Sequence, residues 1–271
     1  MYMYNGNLVN KELSLGYQYG YGVFETIKVL NGKLIFFKEH TERLFEGCSK
    51  LEINFKYTLN ELFHISKNFL NKTNFKNGSL KLIVSKNKDS SDLLITLNNK
   101  IYTKSQYEKG FKIKISSIKK SETSILSKIK SLNYMENIYC LNKAKAAGYD
   151  ETIFLNSKNY ICEGTISNIF FIKNKKLYTP SLKNGLLNGI IRSKIIEICR
   201  QNSIDITEGN YTLEDLLKAD EIFLTNSLMG VMPVLKVNNV NFKNFTEYNF
   251  FKNKIKLYES LNENFGGLNN G

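Results

Sequence analysis

The chain has 271 residues, 42% of them hydrophobic, which is enough for one large globular domain or two ordinary ones. Its net charge of +13 requires a nucleic-acid partner to be weighed, but the lysines are spread along the whole chain and no nucleic-acid-binding signature occurs, so none is expected. No run approaches the roughly 18 apolar residues of a membrane span, and MYMYNGNLVN has neither a basic leader nor an apolar signal core, so a cytoplasmic protein with no membrane association is expected.

A first short strand ends at Leu8 and Val9. YGYGVFETIKVLNGKLIFF reads as a hairpin, with strands over 22–30 and 33–37 joined at Asn31 and Gly32, a pair suited to positive φ. From Glu39 the pattern turns helical, with Leu44, Cys48 and Leu51 at helical spacing, and a second helix is expected over 59–70. SLKLIVS, DLLITL and FKIKISSI are three alternating strands expected to complete one sheet. Two helices on a mostly antiparallel sheet make a small α+β domain.

The polar segment 119–130 breaks the rhythm and reads as a linker. The expected division is therefore an N-terminal domain over 1–118, a linker over 119–129 and a C-terminal domain over 130–271. In the latter, a helix over 134–147 precedes the strands ETIFLNS, NYICEG, SNIFFIKN and KLYTPS. A helix opens near Gly189, followed by the strand SIDITEG, the short helix TLEDLLKA, the strand EIFLTNS and the hairpin MPVLKVNNVNF. A last helix is expected over 245–262 and a disordered tail after it. Pro180 and Pro233 are expected at strand ends or turns.

Cys48, Cys140, Cys162 and Cys199 are far apart, and His40 and His64 are the only imidazoles, so neither a metal site nor a disulfide framework is expected. Three stretches could hold an anion. GLLNGIIR places Gly189 before an apolar helix, where the N–H groups of Ile190 and Ile191 open the first turn. LTNSLMG ends an apolar strand in hydroxyl and amide groups, and HTERL offers Arg43, suited to bidentate phosphate contact. Each also has a plain reading as a turn, a cap or a surface ion pair. Glu163 in CEGTISN is an acid between apolar strands, costly to bury unless it faces a cation. In KIKSLNY two lysines stand two residues apart.

Together YGYGVFETIKVLNG, HTERL, KSLNY, CEGTISNIF, LYTP, GLLNGIIR and LTNSLMGVMPV resemble, in order and approximate spacing, the class IV aminotransferase family of fold-type IV pyridoxal-phosphate enzymes. The resemblance implies a two-domain fold, α+β or α/β in class, with a small N-terminal α/β sandwich and a larger C-terminal pseudo-barrel. It implies pyridoxal 5′-phosphate as cofactor and a homodimer whose active site lies between the domains and takes a loop from the partner. Lys130 of KSLNY would be the catalytic lysine that joins the cofactor and shuttles protons, whereas Lys128 has no such role. Glu163, within E-x-x-x-S-N-x-F with Ser167 and Asn168, would face the pyridine nitrogen. Arg43, Gly189, Ile190, Ile191, Asn226 and Ser227 would hold the phosphate, and Tyr134 the phenolate oxygen. Tyr19, Phe24, Lys28, Leu228 and Met229 would meet the substrate.

Within the family, N-S-L-M before G-V-M-P-V and Asn188 resemble the aminodeoxychorismate lyase branch, and the stretch 79–97 lacks the R-x-H pair of the D-amino-acid enzymes and the arginine-bearing insert of the branched-chain ones. Glu25 of GVFET is, by contrast, a transaminase feature. The expected substrate is a small anionic amine, with Lys28, Lys81 and Lys86 as guesses for a basic mouth. Transamination of D- or branched-chain amino acids, and a non-catalytic basic binding protein on the same fold, are the alternatives.

Overall fold

The computed structural model describes residues 1–10 and 13–242. The expected helix over 245–262 and the tail lie outside the described residues. The chain divides into two compact units, Met1–Lys100 with Ile129–Tyr134, and Ile101–Lys128 with the chain from Met135 onward.

The first unit begins with a two-stranded ribbon, β1 (Tyr2–Tyr4) and β2 (Asn7–Val9), and a short helix α1 (Leu15–Tyr19) whose first turn is capped by Ser14. Its main sheet has the order β4-β3-β5-β6, with β3 at Gly22–Leu30, β4 at Lys33–Leu34, β5 at Gly78–Lys86 and β6 at Ser91–Asn98, all antiparallel. The turn at Asn31 and Gly32 has φ of 50° and 74°, as the sequence implies. The second strand of that hairpin is shorter than expected, because Phe36 adopts φ 55° and starts α2 (Phe37–Lys50) two residues before Glu39. The helix α3 (Leu59–Lys72) opens on a capping box between Thr58 and Glu61.

Alternation along β3 and β5 decides what each face of this sheet does. Val23, Ile27, Val29, Leu80, Leu82 and Val84 bury against Leu44 and Cys48 of α2 and Leu62 and Leu70 of α3. Each such aliphatic side chain contributes about 1.5–3 kcal/mol. The other face carries Phe24, Thr26, Lys28, Ser79, Lys81 and Ile83, since Phe24 pairs with Ile83, Thr26 with Lys81 and Lys28 with Ser79.

The segment Ile129–Tyr134 runs beside the start of β3. Phe24 N donates to Lys130 O at 2.9 Å, Leu132 N donates to Gly22 O at 2.9 Å, and Val23 bridges Ser131. These backbone bonds group Lys130 with the first unit, where the expected division placed it at the head of the second domain. Nor is 119–130 an open linker: Lys120 N donates to Leu155 O at 2.9 Å, and Ile125–Lys128 form a 3₁₀ turn.

The second unit contains α4 (Lys104–Lys109), β7 (Phe111–Ile115), α5 (Met135–Ala146), β8 (Glu151–Leu155), β9 (Ile161–Gly164), β10 (Asn168–Lys173) and β11 (Lys176–Pro180). It continues with α6 (Ile190–Gln201), β12 (Ile206–Gly209), α7 (Leu213–Leu217), β13 (Glu221–Asn226), β14 (Gly230–Val237) and β15 (Val240–Asn241). Among the described residues the strands make one nine-stranded sheet of order β12-β11-β10-β13-β14-β7-β8-β9, with β15 paired to β14. The sheet curls back on itself where Gly164 N, ending β9, donates to Ser167 O at 2.7 Å just before β10. This is the expected pseudo-barrel.

Two expectations are corrected here. FKIKI does not complete the first sheet; β7 lies between β14 and β8, parallel to both, and buries Phe111 and Ile113 in the second core. Pro233 is inside β14 rather than at its end. It is the last residue of β14 paired with β13, opposite Phe223, and pairing with β7 begins at Val234, so the missing N–H falls where the strand changes neighbour.

Candidate functional site

In the first unit the Lys130 ammonium is presented over aromatic rings. Its Nζ lies 4.5 Å from the Phe24 ring centroid and 5.3 Å from that of Tyr134. The two rings meet edge to face at 5.2 Å, so each fixes the other beside the lysine. Lys128, two residues earlier, is exposed on the 3₁₀ turn. Of the other expected substrate contacts, Phe24 and Lys28 share the open sheet face, while Tyr19 ends α1 with 69% of its surface exposed and is not one of these rings.

Behind β3 lies a buried ionic group that the sequence reading only touched. Arg43 donates from Nε to Glu25 Oε1 and from Nη2 to Glu25 Oε2, both at 2.7 Å, and His40 Nδ1 is 2.6 Å from Glu25 Oε2. Burial would push the Glu25 carboxyl up, but Arg43 and His40 outweigh it and hold it at about 2. Burial lowers the His40 imidazole, Glu25 opposes this, and the charges of Arg43 and Lys130 add to it. We read His40 as neutral, donating from Nδ1, with the Arg43 fork as the cation that neutralises Glu25. The expected phosphate ligand Arg43 thus has Nε and Nη2 committed to Glu25. His40 Nε2 is buried and has no hydrogen-bond partner among the described residues.

In the second unit Glu163 is 7% exposed near the end of β9. Its Oε1 accepts from Lys120 Nζ, and Oε2 accepts from Leu187 N at 3.1 Å and Asn168 Nδ2 at 3.4 Å. The turn after it is built on a second buried acid. Glu151 accepts from Thr165 N at 3.1 Å, Ile166 N at 3.2 Å, Ser167 Oγ at 2.9 Å and the Thr165 hydroxyl. Burial raises the Glu151 carboxyl while those bonds pull it down. Ser167 therefore serves the turn rather than pointing away from it.

Asn168 also donates to Leu187 O at 2.9 Å, which ties β10 to the approach of α6. Gly189, the residue before α6, offers no side-chain cap, and a Cβ there would come within 2.0 Å of Asn168 Oδ1. The first-turn N–H groups of Ile190 and Ile191 are thus met by no capping side chain, and both side chains are buried. Arg192 holds the start of α6 in place: Nη2 donates to Pro180 O at 2.9 Å and Glu208 Oε2 at 2.6 Å, and Nη1 to Asn188 Oδ1 at 3.0 Å.

Asn226 organises the turn after β13. Its Oδ1 accepts from Leu228 N at 3.0 Å and Met229 N at 2.9 Å, and its Nδ2 donates to Ile166 O at 3.2 Å. Ser227 and Leu228 are half-buried. Met229, expected at the substrate, is 3% exposed in the second core, with its carbonyl taken by the Tyr107 hydroxyl at 2.7 Å. The sequence expectations did not include Lys120, Glu151 and His40 as partners; the signal for Glu151 was the cost of placing a carboxylate in an apolar strand.

In the second unit a helix start stripped of its cap and of a Cβ and a buried oriented carboxylate fit a phosphorylated cofactor carrying a cationic ring nitrogen; in the first unit, taken by itself, an amine stands over an aromatic ring. A family profile described as Amino-transferase class IV matches residues 22–237. Aminodeoxychorismate lyase of Bacillus subtilis is 30% identical over 254 residues, covering 89% of this chain and 86% of its own. D-alanine aminotransferase of Listeria monocytogenes is 29% identical over 252 residues, covering 87% of each chain. The crystal structure of the branched-chain amino acid aminotransferase of Escherichia coli superposes with a TM-score of 0.85 at 23% identity, covering 95% of this chain and 92% of that one, which shows a shared fold.

Proposed function

The chain belongs to the class IV aminotransferase family of pyridoxal-phosphate-dependent enzymes, and we propose that within it the protein is a 4-amino-4-deoxychorismate lyase, releasing 4-aminobenzoate and pyruvate for folate synthesis. The observation that carries this choice is the hairpin joining β5 to β6. It closes tightly, Asn87 N donating to Ser90 O at 2.9 Å, and holds neither arginine nor histidine with which to clamp an α-carboxylate. Kinship with the Bacillus lyase supports it. The competing reading, transamination of D- or branched-chain amino acids, is favoured by Glu25 and by the Listeria relative.

When bound, pyridoxal 5′-phosphate supplies an electron sink for the carbon bearing the substrate amine. The protein's part is to hold and to move protons. Lys130 carries the amine that links the cofactor, and later takes the proton from ring carbon C4. As the ring becomes aromatic, the bond to the enolpyruvyl oxygen breaks, and a proton delivered to the departing methylene carbon gives pyruvate. Glu163, fixed by Lys120, Leu187 N and Asn168, would face the ring nitrogen and keep it protonated. The first turn of α6, Ser227 and Arg43 would receive the phosphate, and Tyr134 the phenolate oxygen. Phe24 and Tyr134 place two aromatic rings beside the amine.

Purified protein offered aminodeoxychorismate, and separately D-alanine or leucine with 2-oxoglutarate, decides between the readings. Aminobenzoate release is the expected result; glutamate formation without aminobenzoate would replace the lyase with a transaminase. No helix among the described residues is long and apolar enough to cross a membrane, and we propose a cytoplasmic homodimer, to be checked by light scattering.

A further inference from the structure

We propose that Lys81 is a specificity-determining residue whose ammonium receives a carboxylate that the substrate carries away from its reacting amine. The inference rests on Lys130 being the reactive lysine.

Lys81 pairs across the strands with Thr26, two residues from Phe24, so its side chain rises on the face of the sheet that α2 and α3 leave uncovered. Its Nζ lies 4.2 Å from the Phe24 ring centroid, where Lys130 Nζ lies 4.5 Å from the same centroid. Lys81 reaches that ring from β5, and Lys130 from the segment on the other side of β3. The two ammoniums therefore flank one aromatic platform, and Lys28 stands further along the same face.

Lys81 lacks an anion: Arg43 is matched by Glu25, Lys120 by Glu163 and Arg192 by Glu208, whereas no carboxylate among the described residues pairs with Lys81. Lys81 is half-buried over the Phe24 ring, and burial lowers its pKa; among the described residues Lys28, on the same face, has no ion pair either. A ring face offsets part of the cost of enclosing a cation but does not neutralise it. A carboxylate would. It would belong to the molecule processed at Lys130 and would meet Lys81 beside the Phe24 ring, away from the carbon that bears the reacting amine. In an α-amino acid the carboxylate shares the carbon that bears the amine. A cyclic amine with a carboxylate across its ring meets the requirement, as does the proposed substrate.

The experiment uses the cofactor-loaded enzyme and the variants Lys81→Met and Lys81→Arg, each first shown to carry the same cofactor absorbance and melting temperature as wild type. Isophthalate, an unreactive ring dicarboxylate, is titrated against the cofactor absorbance. The wild type should bind it, Lys81→Met should bind it roughly ten- to hundredfold more weakly, and Lys81→Arg should recover most of the affinity. With aminodeoxychorismate, Lys81→Met should raise KM by a similar factor and leave kcat within about threefold. Equal isophthalate affinity in wild type and Lys81→Met would overturn the proposal. The titration does not depend on which amine the enzyme consumes, so an enzyme without lyase activity would still bind isophthalate through Lys81 or fail to. Should Lys81→Met not fold, Lys81→Gln serves the same comparison.

Discussion

Lys120 and Glu163 form an ion pair in the second unit, the lysine Nζ on one carboxylate oxygen, with side chains only 12% and 9% exposed. The second oxygen is held by Leu187 N and Asn168 Nδ2, so the acid is fixed on both sides before any cofactor is considered. Removing one member of an enclosed pair leaves the other charge uncompensated, at a cost of about 3–5 kcal/mol. Lys120→Met should therefore lower apoprotein stability by about 3 kcal/mol in urea unfolding, and weaken pyridoxal-phosphate binding. The double variant Lys120→Met/Glu163→Gln should lose less stability than the single one. A double variant that loses the sum of both single effects would mean that the pair is not coupled.

The two lysines of KIKSLNY are expected to separate completely. Lys130→Ala should lack the visible absorbance of the linked cofactor and lose at least about 10³-fold in turnover, while Lys128→Ala should stay within about twofold. Loss of the band in Lys128→Ala would reassign the reactive amine.

Acid should loosen the first unit through Glu25 and His40. A carboxyl held at about 2 against an ordinary 4.5 stabilises the fold above pH 4.5, and that contribution drains away as the pH falls from 4.5 towards 2. His40, held below its ordinary 6.5, acts in the same direction, because the unfolded chain takes up its proton first as the pH drops through 6.5. Glu25→Gln should cost a few kcal/mol at pH 7, and the gap to wild type should narrow between pH 4.5 and 2. Urea midpoints across that range measure it; a gap independent of pH would remove Glu25 as the source.

At the head of α6, Gly189→Ala would drive a methyl to 2.0 Å from Asn168 Oδ1. Relief requires Asn168 to leave Leu187 O or the helix start to shift, and both lie beside the expected phosphate ligands. Pyridoxal-phosphate affinity should fall by tenfold or more, with the unfolding free energy lowered by only about 1–2 kcal/mol. An unchanged absorbance titration would show that the phosphate does not use this turn.

The positions that local chemistry dictates were legible in the sequence. The Asn31–Gly32 turn, the apolar faces of α2 and α3 and the opening of α6 at Gly189 all stand as read. What escaped was settled across the chain. FKIKI alternates like any edge strand, and nothing inside it states that its neighbours are β14 and β8. The residues 119–130 look like a linker because their partners, Asn156 and Glu163, come later in sequence. HTERL shows Arg43 beside acids of its own helix, whereas the acid it meets is Glu25 on the preceding strand. Met229 shares the periodicity of a site residue and of a core residue, and only the packing around it separates the two.

The central place of β7 bears on how the chain is made. On the ribosome Phe111–Ile115 emerges long before Gly230–Val237, and until that strand arrives β7 has one edge without its parallel neighbour. The second unit therefore closes late in synthesis, through a long-range pairing of the kind that slows folding and leaves strand edges open to other chains. Lys112 and Lys114, alternating with the buried Phe111 and Ile113, place two charges on that waiting strand.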